Sequence, residues 1–439
     1  MTTDKTEVIV GVDSLSNPEL LAKIQEAMQN MPNQPNHTAG EHLPYGSLFG
    51  LDRGFNFLDA NIGFLDFGTN DTELEAVQKL AAMTRKGCNA KSDISLEEIA
   101  SQILKDETQF DLSKYNLSVS TTGARGAIIS VLNQIVTPQK PCVMYASPNW
   151  VFDAVVGSVK NARIAETFIP TAENFVDTFE FVSSKVPLGA VILVDPANPL
   201  GYRFTKEQIE RIERTSQKYG IVPIFDDVFR GLQAKGERHS SSEYSHCSVI
   251  VETTSKRFGA RGLGVTWTLT PKELNLTPSV KEESCTGCSS LAAVVTQALY
   301  ETGYGERIQS FLTANAAAFK QGFYDSFQET QPIGRFVHAF PAMPIMTYHF
   351  EEVDEELTAS LVNDLETARG IKLTSGFEWI CQVETKEKAI RDGKITQLIQ
   401  MEGAFASSYI RICPTKETPD RCYIAGHHLG TKMQELVKK

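Results

Sequence analysis

The chain lacks a basic run, a long apolar stretch and a cysteine framework, and each absence excludes a class of function. Its 439 residues carry a formal net charge of -12 with no cluster of Lys and Arg, so nucleic acid is a poor partner, because phosphate backbones are bound by clustered cations. No apolar segment approaches the roughly 20 residues that a membrane-spanning helix needs. The eight cysteines, at 88, 142, 247, 285, 288, 381, 413 and 422, are too scattered for a disulfide scaffold. The close pair Cys285 and Cys288 has no second pair or His pair at zinc spacing, which leaves packed thiols as the expectation. The polar, acidic start (Met1 to Glu7) does not read as a leader, and the expected location is the reducing cytoplasm. A P-loop is missing. Gly259, Gly262 and Gly264 have the wrong spacing for a dinucleotide fingerprint, and no G-x-G-x-x-G follows the first strand.

What is present falls into three stretches. Residues 1–75 are turn-rich, with one amphipathic helix expected over Glu19 to Met28, and read as an N-terminal arm contributing to a small domain. Residues 76–310 alternate short β-rich runs with helices: Leu117 to Val119, Cys142 to Tyr145, Ala190 to Val194, Ile221 to Phe225, Val249 to Val251 and Val265 to Leu269. A capping box at Ser95/Glu98 opens one helix. A second box at Thr205/Gln208 opens another, which Gly220 stops. Near-continuous apolar strands alternating with helices predict an α/β domain with a mostly parallel sheet covered on both faces. Residues 311–439 read as a smaller α+β domain. Its expected strands are at Ile345 to Phe350, Ile371 to Leu373 and Tyr409 to Ile412, with helices over Asp354 to Gly370 and from Thr418-Pro419 onward.

In an open α/β sheet, ligands gather at the carboxyl ends of the strands. The residues just past each apolar run are therefore the candidates. Ser120-Thr121-Thr122-Gly123-Ala124-Arg125-Gly126-Ala127 leads into a helix whose first amides can face an anion; it serves equally as a plain helix start. Pro148-Asn149-Trp150 offers an aromatic plane, although a lone Trp is more often core. Asn198 sits between Pro196 and Pro199, which also describes a rigid turn. Asp226-Asp227 can cap the next element or bind a cation. Lys256, in Thr253-Thr254-Ser255-Lys256-Arg257-Phe258-Gly259, precedes a glycine-rich turn. Gly123, Asn198, Asp226 and Lys256 are each separated from the next by about one βα unit, roughly 30 residues, or a multiple of it. An anion cradle, an amide, a carboxylate and a lysine thus converge on one rim, and together they suit a flat heteroaromatic phosphate ester bearing an aldehyde and a basic ring nitrogen.

These motifs, with Asn198-Pro199-Leu200-Gly201, Asp226-Asp227-Val228-Phe229 and Tyr409-Ile410-Arg411-Ile412, resemble the fold-type I pyridoxal-phosphate enzymes, in particular the class I/II aminotransferases. The likeness runs in order along about 300 residues. It implies a seven-stranded, mostly parallel sheet, pyridoxal 5'-phosphate as cofactor, an amino acid and a 2-oxo acid as substrates, and a homodimer with the site at its interface. It also implies residue roles. Lys256 binds the cofactor's aldehyde as a Schiff base and shuttles a proton. Asp226 pairs with the ring nitrogen. Asn198 donates to the ring oxygen and Trp150 stacks on the ring. The phosphate is held by Gly123 and Ala124 amides and by Thr122, Thr253 and Ser255 hydroxyls. Arg411 clamps a substrate carboxylate.

Three features depart from the family pattern. Phe229 stands where a tyrosine is usual, which implies a raised Schiff-base pKa because the ring oxygen loses a donor. Gly264 stands where an arginine usually pairs with the phosphate, so Arg261, or after it Arg257, is expected to supply that charge. The tyrosine that many relatives send from a partner subunit is not found near residues 85–92, while Ser289 and Ser290 lie where relatives reach the neighbour's phosphate. The leading expectation is transamination. The alternative is a lyase, decarboxylase, cyclase or oxidase acting on an amino acid through the same lysine. A cofactor-binding regulator would need an added DNA-binding domain, for which the short acidic N-terminus offers no candidate.

Overall fold

The structure, a computed structural model, describes residues 55–56, 95–107, 111–149, 152–169, 171–234, 240–276, 290–327, 332, 334–350, 361, 371–372, 374–375, 409–415 and 417–437. In chain order the elements are β1 (Phe55–Asn56), α1 (Leu96–Glu107), β2 (Tyr115–Ser120), α2 (Gly123–Ile135), β3 (Cys142–Ser147), α3 (Phe152–Gly157), β4 (Arg163–Phe168) and α4 (Ala172–Ser183). They continue with β5 (Leu188–Val194), α5 (Lys206–Tyr219), β6 (Val222–Asp226), β7 (Val249–Thr253), α6 (Thr254–Arg257), β8 (Thr266–Pro271), α7 (Ser290–Glu301) and α8 (Tyr304–Asp325). The last are β9 (Gly334–Val337), β10 (Met346–Phe350), β11 (Ile371–Lys372), β12 (Thr374–Ser375), β13 (Tyr409–Ile412) and α9 (Pro419–Val437). The expected helix over 19–28 and the pair Cys285/Cys288 lie outside the described residues, and of the expected helix over 354–370 only Leu361 is described, helical and buried.

The described residues form two compact units: 95–306 in one, and 55–56 with 307–375 and 409–437 in the other. In the larger, seven strands make one sheet in the order β2-β8-β7-β6-β5-β3-β4. β8 runs antiparallel to both its neighbours, and the rest are parallel. The strands are apolar on both sides because helices cover both faces. Val191, Leu193, Ile250 and Trp267 point to one face and meet Phe175, Phe179, Ile209 and Ile212 of α4 and α5. Ala190, Ile192, Val249 and Val251 alternate to the other face and meet Ala127, Ile128, Val131 and Leu132 of α2.

Both expected capping boxes are formed. Ser95 and Glu98 exchange bonds of 2.7 and 3.1 Å, and Thr205 and Gln208 do the same at 2.9 and 3.3 Å. α5 ends at Gly220, whose φ of 62° closes the last turn without a Cβ penalty.

In the smaller unit, β12, β13, β10 and β9 form an antiparallel sheet. Phe319 and Phe323 of α8 and Ile424 and Leu429 of α9 pack with its Met346, Tyr348, Ile410 and Ile412. No described helix is long and apolar enough to cross a membrane. Cys142, Cys247, Cys413 and Cys422 are free thiols.

Candidate active site at the strand ends

The parallel strands β2, β3, β5, β6 and β7 each deliver a polar residue at or just past the carboxyl end. β6 ends on Asp226, whose register partners are Val194 of β5 and Val251 of β7. β7 passes directly into the single turn α6, which carries Lys256. Asn198 lies in the turn after β5, and Gly123 opens α2 just past β2. The larger unit therefore brings Gly123, Asn198, Asp226 and Lys256 to the same edge of its sheet.

Asp226 is the centre of the electrostatics. Burial pushes its carboxyl up to about 6, against the lowering effects of the Val228 N–H and of the Lys256 and Arg125 charges. One carboxylate oxygen, Oδ1, is buried with no hydrogen-bond partner. The side-chain oxygen of Asn198 is in the same state. Buried polar atoms without partners are uncommon in folded chains, and two at one strand-end edge mark a place built for a polar ligand. Lys256 is half-buried, with its Nζ 5.9 Å from the centre of the Phe229 ring. Phe229 itself is buried and supplies an apolar wall beside the amine.

The Asn198 turn is fixed from outside. Ala197 N–H donates to Tyr202 O at 2.9 Å, and Gly201 N–H donates to Ala197 O at 2.7 Å. The carboxylate of Asp195 accepts from Arg203 Nε at 3.1 Å and from Ser241 N–H at 2.8 Å.

The cradle at α2 is open above Gly123, where an added Cβ would meet nothing within 4 Å. Thr122 occupies the N-cap position without capping through its side chain, and its hydroxyl lies 3.1 Å from that of Ser120. Two of the expected phosphate donors are committed elsewhere. Gly123 N–H donates to Gly264 O at 2.8 Å. The Thr253 hydroxyl accepts from Ser255 N–H at 3.2 Å as the N-cap of α6 and donates to Val265 O at 2.9 Å. That leaves the first-turn amides of Ala124 and Arg125, which no carbonyl of the helix can reach, with the hydroxyls of Thr122 and Ser255.

Arg257 is not available to an anion, contrary to the secondary expectation. It is 2% exposed. Its guanidinium is paired with Glu107 and, at 3.2 Å, with Glu252. Glu252 also pairs with Arg230, whose Nε donates to it at 2.6 Å. Asp227 and Glu243 lie 3.7 and 3.6 Å from Arg230. This buried network was not read from the sequence, because Glu107 and Arg257 are 150 positions apart. Arg261 is exposed on the turn Arg261–Leu263. Trp150 and Ser289 lie outside the described residues, and Ser290 starts α7.

Arg411 belongs to the smaller unit. It is 2% exposed in β13, between Thr347 of β10 and Thr374 of β12 in register. Arg125 is exposed in the first turn of α2, at a position to which the family resemblance assigns no role. The signal was there: a cation in a first helical turn works against the helix dipole, so its presence needs a reason.

The sequence model of the family described as "Aminotransferase class I and II" matches residues 57–381. A probable aspartate aminotransferase of Methanocaldococcus jannaschii is 22% identical over 225 residues, covering 50% of this chain and 58% of that protein. An aspartate/prephenate aminotransferase of Thermus thermophilus is 22% identical over 245 residues, covering 55% and 63%. The chain thus matches less than two thirds of the length of these relatives. An archaeal alanine:glyoxylate aminotransferase structure superposes with a TM-score of 0.66 at 11% identity, over 95% of each chain, which is a likeness of fold.

Proposed function

Because the chain belongs to the class I and II aminotransferase family, we propose that it moves an amino group between an amino acid and a 2-oxo acid, with pyridoxal 5'-phosphate as its cofactor. The observation that carries this reading is the buried, partnerless oxygen of Asp226 at the end of β6, in the field of Lys256. A carboxylate in that state would be matched by a protonated ring nitrogen, and on the family resemblance the Asn198 amide N–H would donate to the oxygen of the same ring. Bound there, the cofactor supplies an electron sink next to the reacting carbon.

The chain's own residues do the rest. The Lys256 amine holds the aldehyde and afterwards carries the proton. Asp226 keeps the ring nitrogen charged. Phe229 keeps water from one side of the amine. The amides at the start of α2 and the hydroxyls of Thr122 and Ser255 receive the phosphate. Trp150 is assigned to the ring face and Arg411 to the substrate carboxylate, both on the family resemblance. On the same ground we take the assembly to be a homodimer with the site at its interface. The free thiols favour the cytoplasm.

The test is reconstitution. Purified protein soaked with pyridoxal 5'-phosphate becomes coloured, and borohydride fixes the label on the peptide containing Lys256. An amino acid given without an acceptor then releases its oxo acid in a single turnover. Colourless protein, or ammonia or carbon dioxide released in place of the oxo acid, defeats the reading.

A further inference from the structure

The phosphate of the proposed cofactor is a dianion, and the residue that would normally neutralise it is missing. Gly264 explains why. Its φ is +62°, and a Cβ built there would lie 2.5 Å from the carbonyl oxygen of Thr121. Its own carbonyl takes the Gly123 N–H. No side chain fits at this position, so no cation can reach the cradle from it. Arg257 is turned inward onto Glu107 and Glu252. Two exposed arginines remain nearby in sequence, Arg125 and Arg261.

The geometry favours Arg125. It sits in the first turn of α2, two residues past the open position at Gly123. Side chains on a helix lean toward its N-terminus, which brings the guanidinium of a first-turn residue over the end where the free amides are. That turn carries no acidic residue to compete for it. Glycine at 126 leaves the neighbouring space to the Thr122 side chain, which an added Cβ would strike at 2.6 Å. We propose that Arg125 supplies the positive charge for the cofactor's phosphate, in place of the arginine that Gly264 excludes, and seats it with the Ala124 and Arg125 amides. This rests on the cofactor reading above. The Arg125 charge also bears on Asp226, as that of Lys256 does, which sets Arg125 on the same side of the sheet edge as the other two.

The experiment compares two probes that differ only in the phosphate. Cofactor-free protein is titrated with pyridoxal 5'-phosphate and with pyridoxal, and bound ligand is read by absorbance and by quenching of protein fluorescence. Arg125→Gln weakens pyridoxal 5'-phosphate about tenfold or more, the size of a lost charge-assisted bond, and leaves pyridoxal as in the parent protein. Arg125→Lys keeps part of the affinity. The proposal is overturned if Arg125→Gln binds both probes as the parent does, if it weakens both equally, or if the phosphate-specific loss follows Arg261→Gln instead. A parent protein that takes up neither probe overturns the cofactor reading and this proposal with it.

Discussion

The carboxylate of Glu252 is shared between Arg257, at 3.2 Å, and Arg230, whose Nε donates to it at 2.6 Å. Arg257 directly follows Lys256, and Arg230 lies four residues past Asp226, so one buried carboxylate ties together the two segments that carry the proposed chemistry. The two guanidiniums face four carboxylates: Glu107, Asp227, Glu243 and Glu252. They cannot neutralise all four in a dry interior. Burial accordingly pushes the Asp227 and Glu243 carboxyls above the ordinary carboxylate range, with the neighbouring Glu252 adding to the rise and Arg230 opposing it.

Breaking this pairing is costly. Glu252→Gln removes the one carboxylate bonded to both guanidiniums and leaves Glu107, Asp227 and Glu243 to compensate them, so the loss falls below the about 3–5 kcal/mol of a buried pair that loses its only partner. Urea unfolding of the variant will show a lower midpoint at an unchanged slope. A midpoint within experimental error of the parent's would mean that Glu252 carries no weight.

Asp226 gives the cofactor-free protein a pH dependence of defined sign. Its folded pKa of about 6 lies above the ordinary carboxylate value, so the fold favours the protonated form. The stability this contributes is fully present below about pH 4 and is lost as pH rises through about 6. Two pKa units correspond to about 3 kcal/mol. The difference in unfolding free energy between the parent and Asp226→Asn should therefore change between about pH 4 and 6, with the parent losing ground. Loading the cofactor should abolish the difference in slope, because a ring cation then favours the ionised carboxylate. Parallel stability profiles without cofactor would refute the account.

Lys256→Ala should bind cofactor without covalent attachment and lose about 10²–10⁴-fold or more in turnover, the range assigned to a positioned proton carrier. Borohydride labelling and single-turnover oxo acid release check both halves. Wild-type turnover in this variant would move the chemistry to another residue.

Phe229→Tyr restores a donor beside the ring oxygen. It should lower the pH at which the bound cofactor's absorbance changes, by roughly one unit, because a hydrogen bond to the charged form favours that form. Titrating the absorbance of parent and variant side by side decides it. An unchanged midpoint shows that the ring oxygen is served by other groups.

Gly264→Ala should destabilise the protein by about 1–2 kcal/mol from its left-handed backbone alone, and by more through contact with the Thr121 carbonyl at 2.5 Å. Thermal unfolding measures it. A neutral substitution would mean that the turn shifts freely and that an arginine could have been kept there.

The sequence shows the strand ends clearly, because β5, β6 and β7 carry near-continuous apolar runs and the polar residue at or just past the end of such a run reaches the sheet edge. Lys256, Asp226, Asn198 and Gly123 were legible on that ground. β4 was not: in Arg163-Ile164-Ala165-Glu166-Thr167-Phe168 charged and apolar residues are mixed, as suits an edge strand paired only with β3. The insertion of antiparallel β8 between β2 and β7 was equally invisible, since local pattern carries no information on strand order. The commitment of Gly123, Thr253 and Arg257 to protein partners depends on atoms brought together only by folding, so the motif could name these residues without revealing that they were already engaged.

The bond from Gly123 to Gly264 has a consequence for how a ligand arrives. It joins the loop after β2 to the loop before β8 with the chain alone, so the receptacle at the head of α2 stands assembled in advance. A guest entering it need not first organise its host, and the entropic cost of loop ordering that weakens many complexes is largely avoided.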